Sequence, residues 1–407
     1  MLRIALFTYS TKPRGGVVHT LALAEHLQAM GHAVHVFALG KAEQYTFFRP
    51  TSVPFTLIPA LAVTDAGEPL AERIQRYIQT YYEFLIERRP GPFDIYHAQD
   101  CISANALWRI REDGVIASFV RTIHHIDDFV SPSLIECQQH SIYRPDHRIV
   151  VSRYWQERLA AEFQVEATVI HNGVDLSRFR PPTHGERAAA RAKLELNDQF
   201  VFLNIGGIEP RKNSIRLLEA FKSVRGELAA QGRAGVLLLA GGETLLDYQL
   251  YRAEFFEALD HSGLHLDQDL FLLGPVTDTQ ILWLYQAADV LAFPSLKEGW
   301  GLVVLEAMAS GLATLAADIP VFREYLCSEK NALLVNPNQV QSITRGMLRL
   351  ATDDRLRQHL ATTGPATAAA FSWAATARQH VAYYMSIQNA VRKTRHGGFF
   401  ARSAHSE

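Results

Sequence analysis

Residues 284–320 read LYQAADVLAFPSLKEGWGLVVLEAMASGLATLAADIP. The apolar run ADVLAFPS passes through a glycine-containing turn into a helical run from about Gly301, and a second strand-like run, LATLAAD, follows. Strand, crossover helix and strand is the unit from which a parallel sheet is wound. Upstream the alternation recurs at FVFLNIGG, GVLLLAGG and LFLLGP, with a helix predicted from about Asn213, so the second half is predicted to be a doubly wound α/β unit.

The first half repeats the pattern. LRIALFTYS, a predicted helix from Val17 to Met30, Gly31 and VHVFAL form a βαβ opening, and DIYHAQ, FVRTIHHI, HRIVVS and ATVIHNG continue it. Residues 41–92 fit least well, mixing prolines with an amphipathic run at Ala71 to Arg89, and are predicted to be an insertion specific to this protein. Pro181, Pro182 and Gly185 break the pattern where a linker is expected. The predicted fold is therefore α/β, with Rossmann-like domains at 1–180 and 181–375. Ligands of such sheets bind at the carboxyl ends of the strands, which places a cleft between the domains.

A chain of 407 residues exceeds what one core usually supports. Lysine plus arginine number 40 against 42 acidic residues, and a net charge of -2 gives no field to gather nucleic acid. Cys101, Cys137 and Cys327 have no metal-ligand spacing and suit free thiols in a reducing compartment. No stretch is apolar for the ~20 residues a membrane span needs, so the chain is expected to be cytoplasmic. The basic tail from Arg392 is expected to be disordered, with at most peripheral membrane contact.

Glu306 stands in the otherwise apolar helical run LVVLEAM, where an ionised carboxylate needs a partner. That partner is either a neighbouring basic or amide group or the vicinal hydroxyls of a ribose, which can both donate to one carboxylate. Glu298 precedes Gly299, Trp300 and Gly301, where it caps a turn or lies beside amides that approach a ligand closely. In NIGGIEPRKN a strand ends at Gly206 and Gly207, bringing Arg211 and Lys212 to the cleft, as a solvated pair or as cations for phosphate. Gly15 and Gly16 lie between the first strand and its helix, and Gly241 and Gly242 end another strand; each pair is a tight turn or a place where amides meet a ligand. No G-x-G-x-x-G follows a strand, which counts against a nicotinamide dehydrogenase. RTIHHIDD offers His124, His125, Asp127 and Asp128, but adjacent strand residues point to opposite faces and no metal site is expected there.

Together these residues resemble the family-four glycosyltransferases of the GT-B fold, marked by a glutamate, seven residues and a second glutamate. The AD, PS, EG-aromatic-G and LEAMA-x-G elements follow that order, with Trp300 where phenylalanine is usual and Ala313 where proline is frequent. HNGVD at 171–175, Ser152 and the closing segment at 371–388 are further landmarks. The resemblance implies a retaining hexosyltransferase that uses a nucleotide diphosphate sugar as co-substrate, with no metal or other cofactor. The acceptor is a glycan, lipid or small molecule. Glu306 would hold the ribose, and Glu298 the donor sugar, beside the amides of Trp300, Gly301 and Leu302. Arg211 and Lys212 would face the diphosphate, Arg211 replacing an arginine that many relatives carry at the position of Gly207. His124, or else His125, would support the sugar from the first domain, and helix 376–391 would cross back to that domain. A sugar-nucleotide epimerase, a glycogen-type synthase and a non-catalytic sugar-nucleotide sensor are the alternatives.

Overall fold

The structure is a computed structural model that describes residues 1–40, 46–60, 68–242 and 248–400, with 391–400 described through their backbone. Among the described residues, seven parallel strands form the first sheet: β1 (Arg3–Thr8), β2 (Ala33–Gly40), β3 (Phe55–Pro59), β4 (Ile95–Ala98), β5 (Val120–Ile123), β6 (His147–Val150) and β7 (Thr168–Val169). Its helices are α1 (Gly15–Ala29), α2 (Leu70–Arg88), α3 (Cys101–Glu112), α4 (Pro132–Tyr143) and α5 (Arg153–Arg158). The second sheet contains β8 (Phe200–Ile205), β9 (Gly235–Ala240), β10 (Leu270–Gly274), β11 (Val290–Phe293), β12 (Ala313–Ala317) and β13 (Leu333–Val335). Around it lie α6 (His184–Lys193), α7 (Ser214–Ala230), α8 (Gln249–Asp260), α9 (Asp278–Ala287), α10 (Leu302–Ala309), α11 (Pro320–Arg323), α12 (Val340–Thr352) and α13 (Asp354–Ala369). The chain closes with α14 (Trp373–Phe400).

The strand orders are β3-β2-β1-β4-β5-β6-β7 and β10-β9-β8-β11-β12-β13. Helices cover both faces, which is why Ile4 to Phe7 and Val290 to Phe293 are buried without alternation. Each order reverses once, at β1/β4 and at β8/β11, and there the loops leave toward opposite faces and open a crevice at the carboxyl ends. One apolar cluster joins Val150, Val151 and Trp155 of the first domain to Trp300, Val304 and Phe322 of the second, so the domains share a core behind the cleft.

Residues 41–92 prove to be less of an insertion than the sequence pattern suggests. Within them β3 extends the first sheet beside β2, and α2 buries Ile74, Ile78, Tyr81 and Leu85 against it. The short strand FTLIP is hard to read in the sequence because Pro54 precedes it and Pro59 ends it. Helix α14 packs Ala377, Tyr384 and Ile387 against Leu21, Leu27 and Val120 of the first domain. Its described backbone is helical to Phe400, and VRKTR holds no helix breaker before Gly397. Residues 401–407 of the basic tail lie outside the described residues.

Candidate active site

The loops after β8 and β11 are tied together by backbone carbonyls. Asn213, in the left-handed conformation (φ 62°), donates through Nδ2 to the carbonyls of Pro294 (3.0 Å) and Pro337 (2.7 Å). The Arg211 carbonyl accepts from Leu296 N (2.7 Å) and Ser295 Oγ (2.8 Å). Lys212, 8% exposed, lays its methylenes along Gly206 and reaches Glu298, likewise 8% exposed, with Nζ 2.5 Å from Oε1. Ser295 Oγ lies 2.7 Å from the same oxygen and shares its one proton between it and the Arg211 carbonyl; Arg211 Nη1 lies 3.6 Å from that oxygen, while Arg211 Nε pairs with Glu209 at 2.9 Å.

Burial alone would push the Glu298 carboxyl up, but Lys212 and Arg211 outweigh it and hold it below the ordinary range. Burial pulls Lys212 down despite Glu298 beside it, and Arg211, also opposed by burial, is pushed up by Glu209, Glu298 and Asp127. Two cations thus converge on one carboxylate at the switch point of the second sheet.

Glu306 lies one helix further on, in α10, half-buried. Its Oε2 accepts from the Tyr285 hydroxyl of α9 at 2.8 Å. Burial raises its pKa against the pull of Tyr285 and Arg178. Gly301 begins α10 with φ 90°, which favours glycine, and Leu302 is the first helical residue, where amide hydrogens point out of the helix.

In the first domain, α1 begins at Gly15, and Gly16 faces the His124 ring: a Cβ there would lie 3.6 Å from Cδ2. His124 Nε2 is buried without a hydrogen-bond partner, and His19 packs edge-on against the ring with centroids 4.8 Å apart. His125, like His124 just past the end of β5, pairs instead with Asp127 at 3.2 Å. Gln138 of α4 holds that loop by bonds to Asp127 N (2.8 Å) and O (3.0 Å).

Several contacts join the domains at this site. The Trp155 indole donates to the Glu298 carbonyl at 2.9 Å, and Lys297 pairs with Asp128. Glu324 accepts from the amides of Arg153 (3.0 Å) and Tyr154 (2.9 Å), placing a carboxylate at the start of α5. Gly299 lies so close to the His124 carbonyl that a side chain would overlap it.

The structure therefore brings His124, Arg211, Lys212, Glu298 and Gly299 together, with Gly16 behind His124. The other residues expected to face the donor have these surroundings. The Trp300 ring stacks on His171 at 4.4 Å and its carbonyl is held by Tyr325, which leaves its backbone amide as the group for a ligand. Gly241 packs directly on Gly206 and Gly207, which makes this glycine group a close backbone approach between strand ends. Gly242 faces Pro275, and Gly15 has open space beside it. Glu243 lies outside the described residues. Ser295, Tyr285, Asn213, Trp155, Glu324 and His19 were not singled out from sequence. Ser295 and Tyr285 stand within the opening stretch, whereas the others act across 80 or more residues, as with Asn213 and Pro294 at a separation of 81.

The family described as "Glycosyl transferases group 1" matches residues 186–367, and "Glycosyltransferase Family 4" matches residues 13–178. A D-inositol 3-phosphate glycosyltransferase from Nocardia farcinica is 30% identical over 71% of this chain and 65% of that protein. A phosphatidyl-myo-inositol mannosyltransferase from Mycolicibacterium smegmatis is 26% identical over 96% of this chain and 95% of that protein. Sucrose-phosphate synthase from Thermosynechococcus elongatus shares the fold with a TM-score of 0.78 at 22% identity, over 96% of this chain and 100% of that one. Anabaena HepE, solved with UDP and glucose, gives 0.73 at 20% identity, over 95% and 100%. The chain belongs to the group 1 glycosyltransferases, enzymes of the GT-B fold that move a sugar from an activated donor to an acceptor.

Proposed function

We propose that the chain transfers a hexosyl group from a UDP- or GDP-sugar to an acceptor hydroxyl, with retention at the anomeric carbon and without a metal ion. The observation that carries this reading is the convergence of Lys212 and Arg211 on Glu298 at the β8/β11 switch point. When the anomeric C–O bond breaks, its electron pair stays on the diphosphate, and fixed cations that meet this charge lower the barrier. They supply the stabilisation that a metal would otherwise give. The acceptor oxygen bonds the anomeric carbon from the face the diphosphate leaves, and its proton passes to the departing phosphate oxygen. No side chain is assigned as nucleophile, and Glu306 serves the ribose, so the two glutamates are not a glycosidase pair. Glu298 trades its bonds with Lys212 for the donor sugar as Lys212 turns to the phosphates, and His124 closes over the sugar from the first domain.

The inositol-based names of two relatives make a cyclitol phosphate or its lipid the first acceptors to try. A cytoplasmic reaction with at most peripheral membrane contact goes with this reading, on the free, unspaced cysteines of the sequence. No described helix is long and apolar enough to cross a membrane. UDP-glucose, UDP-N-acetylglucosamine, GDP-mannose and ADP-glucose, each with myo-inositol 3-phosphate and with and without a chelator, test the proposal. Nucleotide release with an α-linked product from an α-donor, undiminished by chelator, is expected. A β-linked product would overturn retention, and loss of activity in chelator would overturn metal independence.

A further inference from the structure

His19 is fully buried on the face of α1 that also buries Val17, Leu21 and Ala24, where an aliphatic side chain would satisfy packing alone. Its surroundings are polar in a directed way. Nδ1 donates to Asn172 Oδ1 at 2.8 Å, which fixes the proton on Nδ1 and leaves Nε2 as a lone-pair acceptor. That Nε2 is buried without a partner among the described residues, and so is Nε2 of His124, whose ring meets His19 edge-on at 4.8 Å. Trp373 (5.4 Å) and His380 (6.0 Å) of α14 close the other side of the His19 ring. Two buried imidazole nitrogens without partners on neighbouring rings are a costly arrangement, one that a bond between them would relieve.

We propose that His19 is a positioning residue for His124: its Nε2 accepts the Nε2 proton of His124, fixing that ring's tautomer and leaving Nδ1 as the atom that meets the transferred sugar. Burial keeps His19 neutral, with a pKa pulled down to about 3, so it serves as an acceptor throughout the working pH range. Gly16, one turn earlier on α1, leaves the space into which the His124 edge fits. Asn172, which orients His19, lies two residues before the bridge of Val174 to Ser372, so the element that joins the domains also sets this pair.

The inference rests on the assignment of His124 to the sugar. The test is a cycle of His19→Phe and His124→Ala, singly and together, with His19→Gln as the conservative variant that keeps both a donor and an acceptor. Nucleotide release from UDP-glucose and GDP-mannose is measured as kcat and KM. His19→Phe is expected to lower kcat about 10- to 100-fold with little change in donor KM, His19→Gln to recover most of it, and the double variant to fall no further than His124→Ala. Equal losses from His19→Phe with His124 present or absent, or no recovery by His19→Gln, would overturn the inference. Full activity in His124→Ala would instead overturn the assignment of His124, and this inference with it. If His19→Phe fails to fold, His19→Gln and ring-nitrogen NMR of His124 carry the test. The His124 proton is expected on Nε2 in the wild type, and a proton on Nδ1 would contradict the proposal.

Discussion

Glu298 and Glu306 are separated by seven residues yet meet opposite fields. Glu298 is held ionised against its burial by Lys212 and Arg211, and Glu306 is pushed toward its protonated form by burial, with one tyrosine bond. The sign for Glu306 follows from linkage: its raised pKa means the folded state binds the proton more tightly than the unfolded chain, so its ionisation costs stability as pH rises through that pKa. Glu306→Gln is therefore expected to keep or raise the Tm while weakening donor binding, a combination that scanning calorimetry and donor KM together check. In the wild type, kcat/KM should fall on the acid side at a pH above the ordinary glutamate value of about 4.3, and Glu306→Gln should lose that inflection. Residue identity alone made this glutamate suspicious in an apolar helix. Its tyrosine partner was not legible, because the pairing of α9 with α10 is decided by packing.

Among the elements, the tie between the β11–α10 loop and the end of β5 is the most sensitive. Gly299 meets the His124 carbonyl without room for a methyl group, so Gly299→Ala should force the domains apart locally. A loss of kcat by about 10-fold or more is expected with the circular dichroism spectrum unchanged. A fully active Gly299→Ala enzyme would show that the contact is dispensable. Glu324→Ala removes a carboxylate from the first turn of α5, and a loss of about 0.5–2 kcal/mol in urea unfolding is expected. The strands at β8, β9, β11 and β12 were legible as apolar runs ending in glycine, proline or aspartate. β13 was not, because its three residues are too few to show a period.

Over the whole molecule, the site exists only where two separately wound sheets turn their switch points toward each other. The alternation of strands and helices revealed both sheets, and the glycine-bounded strand ends revealed where a ligand would lie. The sequence could not reveal which loop meets which, since Trp155 to Glu298 and Arg153 to Glu324 span 143 and 171 residues. Helix α14 adds a long-range brace: its Tyr384 hydroxyl bonds His97 Nδ1 of β4 at 2.7 Å inside the first core. Tyr384→Ala is expected to cost about 3–5 kcal/mol in equilibrium unfolding, and a change below ~1 kcal/mol would show that α14 is not integral to the first domain.

In the proposed reaction Lys212, held beside Glu298, receives the charge of the departing diphosphate. The most direct measurement is the single-turnover rate of nucleotide release at saturating donor, comparing the wild type with Lys212→Ala. A fall of about 100- to 1,000-fold with donor affinity nearly unchanged is predicted. An unchanged rate, or a loss confined to donor affinity, would contradict the account.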